Sequence, residues 1–484
     1  MSISLRKRLF QLFLLEVMAV LLGMSAGAFG QDNEWSLKRC LEFAIENSLS
    51  VEQAQLGIDN AEISSKLAKS QRYPSLSFNT NLGLNFGRTV DPTTNDFITT
   101  NFLSNGAQFN TAVTLYNGGR INNQIKSALQ EELATKEDLN SSMINLAFDI
   151  AQTYFNALLA RENVQNITVQ RENTISEIER MSRMIEVGTR AQAEIYDLEA
   201  QLATTDQDLA MAQNSFDISM VGLKALMNIS FDTEMILVEP NMAQSLYSDP
   251  DELTFEEAYS KALEFSPSNK AQKFRIKSAE YDLKVSKAGM LPSLSAGGNI
   301  NTNYSNQAKE VVGFTSTTVS QPVTIDGVPA LLGTDQAIPQ ISDKTYGSQF
   351  NDNLFYGFGV SLNIPIYSNY QNKANVDRSK VNLETLINQN RQNDNNLRNT
   401  MQQLLTDARG AKRALEASEK TLRAREIAAQ NAEKRFQVGA LNSFDYITIQ
   451  NQYNQALINL SISKYDYLYK IKILDYYQGY PVEF

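Results

Sequence analysis

The sequence predicts a mixed α and β membrane protein: an internally duplicated chain giving four transmembrane β-strands and long coiled α-helices. Three observations carry this reading. A pattern of two helices, strands and a long helical stretch occurs twice along the 484 residues. Two proline-free stretches of equal length run from Tyr116 to Gly188 and from Tyr367 to Gly439. Four segments alternate apolar with small polar residues at a period of two, the pattern of a strand with one greasy face. An unbroken helix of about 68 residues is ~100 Å long, against a usual mean of about 11–12 residues.

Composition narrows the chemistry. The formal charge is −11 and no basic cluster lies beyond the extreme N-terminus, so nucleic acid is not an expected partner. Histidine is absent, which removes the commonest general base and the commonest transition-metal ligand. Cys40 stands alone, without a disulfide partner or a CxxC pair. These absences point away from an enzyme, and no catalytic, cofactor or metal site is expected.

Residues 1–30 read as a signal peptide. Arg6, Lys7 and Arg8 supply charge, Leu9 to Leu22 supply an apolar run broken by Glu16, and Ala26, Gly27, Ala28 and Gly30 suit cleavage. An N-terminal membrane anchor is the alternative, although the apolar run is short for one. No later stretch is a run of 18 apolar residues, so a membrane would be crossed by strands.

Residues 31–252 form the first repeat and 253–484 the second. Leu37, Cys40, Leu41 and Ala44 are spaced for one helical face, and Ser36 and Thr254 are matching candidate caps. Ala44 and Ala262 stand 218 residues apart, as do Pro74-Ser75-Leu76-Ser77 and Pro292-Ser293-Leu294-Ser295; Tyr116 and Tyr367 stand 251 apart. The second repeat therefore carries 33 extra residues between Pro292 and Tyr367.

After each Pro-Ser-Leu-Ser the period changes from 3.6 to 2. Strands are expected at about 75–88, 107–117, 293–304 and 354–366. Leu76, Phe78, Leu82 and Leu84 alternate with Ser77, Asn79, Asn81 and Gly83; Tyr356, Phe358, Val360, Leu362 and Ile364 alternate with Gly357, Gly359, Ser361 and Asn363. Each run suffices for a tilted strand to cross a bilayer. A soluble sandwich strand alternates too; four such strands paired across polar tips in an exported chain favour a membrane barrel. Residues 89–105 and 306–351 read as loops, the second holding Pro322, Pro329 and Pro339 and the surplus residues.

Long helical hairpins are expected at 118–228 and 368–477. Gly118-Gly119 and Ser368-Asn369 turn strand into helix. Leu397, Met401, Leu404, Ala408, Ala411 and Leu415 form a heptad-like seam. Residues 388–396 are almost wholly polar and suit either a doubly wetted wall or a solvated coiled-coil segment. The tyrosines at 465, 467, 469, 476 and 477 are expected to pack against the middle of the rods.

Four strands cannot close a barrel, and an open edge in lipid leaves backbone groups unpaired at several kcal/mol each. Three chains would supply 12 strands, an even number within the range of known outer-membrane barrels. With the paired rods following the strands directly, the chain resembles the TolC-type outer-membrane efflux channel family over essentially its whole mature length. The likeness rests on the duplicated helix–helix–Pro-Ser-Leu–strand unit, on Tyr116-Asn117-Gly118-Gly119-Arg120 (similar to the family's aromatic-Asp-Gly-Gly-Arg), and on Val187-Gly188 and Val438-Gly439.

That resemblance implies a homotrimer with a 12-strand β-barrel set in outer-membrane lipid and continued by a periplasmic α-helical barrel. It implies a passive export duct of a tripartite efflux or type I secretion system, working with a periplasmic adaptor protein and an inner-membrane transporter of unknown class. The helical tips Val187, Gly188, Thr189, Arg190 and Val438, Gly439, Ala440, Leu441 would dock the adaptor. Asp445 takes the first position of a periplasmic constriction ring and Thr448 the second, where the family has an acid. Phe436 takes the place of a gate aromatic, Leu441 that of a basic partner, and Glu194 that of a gate acid in the first repeat. The alternative for Asp445 is a first-turn acid favoured by the helix dipole, with Ser443 as cap. A periplasmic coiled-coil protein with a small soluble β domain is the alternative function.

Overall fold

The computed structural model describes residues 33–90, 95, 97–99, 101–240 and 248–480. The expected signal peptide lies outside them. By contacts the chain divides into two compact units, and each draws on both sequence repeats. One comprises the described residues of 58–135 and 272–389; the other comprises the rest of the described residues.

The first of these units holds the sheet. Its strands are β2 (Ser75–Asn85), β5 (Phe102–Tyr116), β7 (Ser293–Ser305) and β10 (Phe355–Asn363). They are antiparallel in the order β10-β7-β5-β2, so the first repeat's pair and the second repeat's pair meet at β5 and β7. Within this order β2 and β10 are the edge strands. The expected four strands are all present, with β5 beginning earlier than periodicity indicates because Phe102–Gly106 pair with β2 and Ser104–Gly106 pair with β7 as well.

The loops differ from expectation. Residues 89–105 include a small ladder, β3 (Arg88–Val90) with β4 (Phe97–Thr99). Residues 306–351 contain a hairpin of β8 (Lys309–Ile325) and β9 (Val328–Asp343), followed by a short helix at Tyr346–Asp352. The hairpin turns on Asp326-Gly327, with φ +50° and +82°, the two left-handed residues that a type I′ turn demands. Its prolines do not break it. Counting out from the turn, Pro322, Pro329 and Pro339 all fall at non-hydrogen-bonded ladder positions, where an N–H would point away from the partner strand.

The long helices follow the strands as expected. One spans Arg120–Glu186 and the other Gln371–Gln437, 67 residues each, and both carry residues in the two units. Each begins after two successive left-handed residues. Gly118 and Gly119 have φ +64° and +80°; Asn369 and Tyr370, at the same places in the second repeat, have φ +47° and +65°. Tyrosine takes this conformation at a cost of about 1–2 kcal/mol. Gly118 is required twice over, since a Cβ there would lie 2.8 Å from the Leu291 side chain.

The other unit is helical. Numbered along the chain through both units, α1 is Leu37–Asn47, α2 Leu49–Ser70, α3 Arg120–Glu186, α4 Ala193–Leu226, α5 Phe255–Phe265, α6 Pro267–Ala288, α7 Tyr346–Asp352, α8 Gln371–Gln437 and α9 Ser443–Tyr477; α7 and most of α2 and α6 belong to the unit with the sheet. Ser36 caps α1, and Thr254 caps α5 in a reciprocal box with Glu257. The seam on α8 is buried at Met401, Ala408 and Ala411, against Tyr467, Ile471 and Leu474 of α9. A second cluster joins Ile150, Tyr154 and Leu158 of α3 to Leu223 of α4 and to Tyr465 and Leu468 of α9. There the Tyr154 hydroxyl accepts from the Val238 N–H at 3.0 Å and lies 2.8 Å from the Trp35 carbonyl oxygen. This fixes a two-residue parallel ladder, β1 (Glu34–Trp35) with β6 (Ile236–Leu237). Burial pushes the Cys40 thiol up to about 12, which leaves it a packing group without thiolate chemistry.

Candidate functional site

Two features stand out, one in each unit. The sheet has two chemically distinct faces, set by the period of its strands. Phe78, Phe109, Ile300 and Tyr356 sit directly across from one another in a single row over all four strands. Val113, Ala296 and Val360 form a parallel row on the same face. The side chains of Tyr356 and Phe358 are 79% and 81% exposed, and Leu76, Leu82 and Leu362 are exposed as well. On the opposite face the rows read Ser77, Asn110, Asn299, Gly357 and Asn79, Gln108, Asn301, Phe355, so one aromatic at the start of β10 interrupts an otherwise small and polar side. No charged residue belongs to β2, β5, β7 or β10. Monomeric soluble proteins rarely expose so continuous an apolar surface, and a neutral amide-lined reverse side is suited to water.

The second feature is the end of the helical hairpins. Each long helix closes on the same motif. Gly188 (φ +76°) and Gly439 (φ +77°) are left-handed, and the N–H groups of Thr189 and Ala440 reach back to the carbonyls of Met184 and Arg435 at 2.9 and 2.8 Å. Both ends are therefore Schellman caps, and valine–glycine was a legible sign of them.

Arg190 links the two tips. Its guanidinium donates to the carbonyl oxygens of Phe436 and Leu441, each at 3.2 Å, lies over the Phe436 ring at 5.4 Å, and pairs with Glu194 at 3.0 Å. Ser443 donates to Asp197 across the same gap at 3.0 Å. Under these contacts Met181, Leu198, Phe436 and Tyr446 are buried together, with the Phe436 and Tyr446 rings stacked at 4.4 Å.

The expected gate residues divide. Asp445 is exposed and sits in the first turn of α9, where its backbone N–H donates to the Asn442 side chain at 2.8 Å and its carboxylate accepts from the Asn442 amide at 2.9 Å. The cap of α9 is thus Asn442, and Ser443, the expected cap, is inside the helix and bonded to Asp197. Thr448 is exposed, its hydroxyl donating to the Phe444 carbonyl. Phe436 is 3% exposed, so its ring is core of the tip and offers no surface; Phe444 is the exposed aromatic beside Asp445. Glu194 belongs to the Arg190 ion pair. At position 441, where a base was expected, the chain has leucine, and its backbone carbonyl accepts from the Arg190 guanidinium of the other tip.

Sequence reasoning missed Glu177. It is buried at 6% exposure, one oxygen 3.0 Å from Arg180, and it lines a cavity of about 260 Å³ with Tyr446 and the amides of Gln170, Gln201, Gln450 and Asn451. Burial pushes its carboxyl above the usual range; Arg180 opposes this and Glu433 adds to it. Among the described residues no group of acids and cysteines could hold a metal ion, and no helix is long and apolar enough to cross a membrane.

The family model described as outer membrane efflux protein matches residues 41–228 and 258–472, one segment in each repeat. The Outer membrane protein TolC of Vibrio cholerae serotype O1 is 22% identical over 333 residues, 67% of this chain and 66% of that protein. The chain thus spans slightly less than two thirds of that relative. The Cation efflux system protein CusC of Escherichia coli O157:H7 is 21% identical over 452 residues, covering 90% of this chain and 84% of that one. A crystal structure of CusC superposes with a TM-score of 0.72 at 18% identity, over 92% of each chain.

Proposed function

Since the chain belongs to the outer membrane efflux protein family, we propose that it is an outer-membrane export duct, in which three copies close their sheets into one 12-strand barrel. The carrying observation is the apolar face of the four-stranded sheet, exposed in the single chain and bounded by two edge strands. In lipid each unpaired edge group costs several kcal/mol, and β2 of one copy against β10 of the next removes both edges. The neutral amide rows then line a wet lumen.

The helical hairpins extend the duct into the periplasm. Their tips, Val187 to Arg190 and Val438 to Leu441, dock a periplasmic adaptor protein, which couples the duct to an inner-membrane transporter. The duct is passive, no step in it needs a catalytic group, and energy and cargo choice belong to the transporter. Three copies of Asp445, exposed next to Phe444, form a single acidic constriction ring, with Arg190 holding the two tips of each chain together around it.

A periplasmic coiled-coil protein with a soluble β domain is the competing reading, but such a domain has no use for uncovered Tyr356 and Phe358. The test is planar-bilayer recording of protein purified from the outer-membrane fraction. Stable, cation-selective pores support the duct. Release of the protein by a salt wash, with no conductance, would overturn it.

A further inference from the structure

The hairpin of β8 and β9 is far longer than its counterpart in the first repeat, the three-residue ladder of β3 with β4, and the duct as proposed makes no use of it. Its root is bolted to the sheet. The Gln349 side chain accepts from the Ser305 N–H at 2.9 Å and donates to the Ser305 and Lys344 carbonyls at 2.9 and 2.8 Å. Lys309 pairs with Asp343 across the base, and Asn306 exchanges hydrogen bonds with Leu103 of β5. Ser305 and Gln349 are completely buried. The arm is therefore held at a set direction from its root.

Beyond that root its chemistry changes. Between Glu310 and Asp335 the only charged residue is Asp326, at the turn, in a chain whose formal charge is −11. Cross-strand register assigns its side chains to faces. Phe314, Leu331 and Ile341 share one face; Val328, Leu332 and Ile338 share the other. All six are exposed, Phe314 and Leu331 by 71% and 72%. A hairpin lying on its own domain needs one apolar face, whereas this one has two. The edges are blunted: Pro322 on β8, and Pro329 and Pro339 on β9, take away outward N–H donors and so discourage open-ended strand addition.

We propose that the occupants of these two faces are the arms of the other two copies, so that three hairpins pack into a collar over the outer mouth of the duct. Three-fold association is heterologous: each subunit offers one surface to one neighbour and a different surface to the other. An arm with two apolar faces, one charge between Glu310 and Asp335, and protected edges satisfies that geometry. It also leaves the stretch joining β7 to β10, and β10 is the edge strand through which copies meet. The inference rests on the trimeric reading above.

The test uses the full-length protein with Cys40→Ser and cysteines on the arm, treated in detergent with a short bismaleimide. The double variant Leu331→Cys/Leu332→Cys carries one thiol on each face and yields covalent trimers on a denaturing gel. Either single variant, unable to link face to opposite face around a ring, yields little product. Absence of trimers from the double variant, or equal linking by the singles, overturns the collar. Sedimentation of the same unlinked samples separates the two ideas: a trimer whose arms fail to link refutes the collar alone, and a monomer refutes the trimer on which it stands.

Discussion

Replacing Arg190 by alanine tests whether the two helical tips of one chain are latched. The guanidinium makes two hydrogen bonds across to the second tip, both at 3.2 Å, and one cation–π contact with Phe436. Its ion pair with Glu194 lies within the first tip and contributes nothing to the link. Counting about 1 kcal/mol for each long hydrogen bond and about 0.5–1 kcal/mol for the ring contact gives a coupling of about 2.5–3 kcal/mol. At about 1.4 kcal/mol per factor of ten, the ratio of latched to parted tips falls roughly 100-fold. The Ser443–Asp197 bond and the buried cluster of Met181, Leu198, Phe436 and Tyr446 remain, so the tips loosen without unfolding. Planar-bilayer recording of the purified variant should show higher conductance and longer openings. Arg190→Lys should resemble the alanine variant, because an ammonium keeps the Glu194 pair but lacks the fork that reaches two carbonyls. Unchanged conductance in an intact Arg190→Ala assembly would refute the latch.

Further outcomes follow from the same geometry. Gly118→Ala should cost about 2–5 kcal/mol, left-handed strain plus collision with Leu291, while Gly119→Ala, whose Cβ meets only the Asn123 side chain at 3.7 Å, should cost about 1–2 kcal/mol; thermal unfolding of the two variants would rank them, and equal losses would contradict the clash. Asn442→Ala should remove the cap of α9 and cost about 1 kcal/mol, lowering the thermal midpoint by a few degrees. Asp445→Asn should reduce cation selectivity in bilayer recordings, and selectivity that does not move would exclude an acidic ring there. Glu177, whose folded pKa is raised, destabilises the tip when ionised, so its share of stability is present below the ordinary carboxylate range and lost as pH rises through the raised value. Glu177→Gln should therefore stabilise the protein at neutral pH and flatten the gain that the unaltered chain shows on mild acidification; a melting curve with the same pH dependence in both would refute this.

Much of the fold is written in local pattern. Tyr356, Phe358 and Val360 alternate so regularly that β10 could be placed to within a few residues, and the helix-ending valine–glycine pairs announce their caps. The β8–β9 hairpin was illegible for a specific reason: three prolines in a polar stretch look like strand breakers, and only the ladder register reveals that each sits where no donor is needed. Asp326-Gly327 was the available clue. The pairing of β1 with β6 joins residues some 200 apart in the chain and leaves no periodic signal. At the tip, Asp445 could be placed as a first-turn acid from spacing, but Phe436 could not be recognised as core, because its burial depends on Tyr446 approaching from another helix. The role of Arg190 is likewise a matter of what lies opposite, and sequence spacing carries no such information.

The central claim is that β2 of one copy pairs with β10 of the next. Within a chain β5 and β7 separate these strands, so at ~4.8 Å per strand spacing their Cα atoms are roughly 14 Å apart, twice the reach of a disulfide. A cysteine at Ser77, combined in turn with cysteines along residues 355–363 in a Cys40→Ser background, can then form disulfides only between chains. One register of this scan should give covalent trimers after oxidation in the membrane. Monomers at every register, from protein shown to be folded, would contradict it.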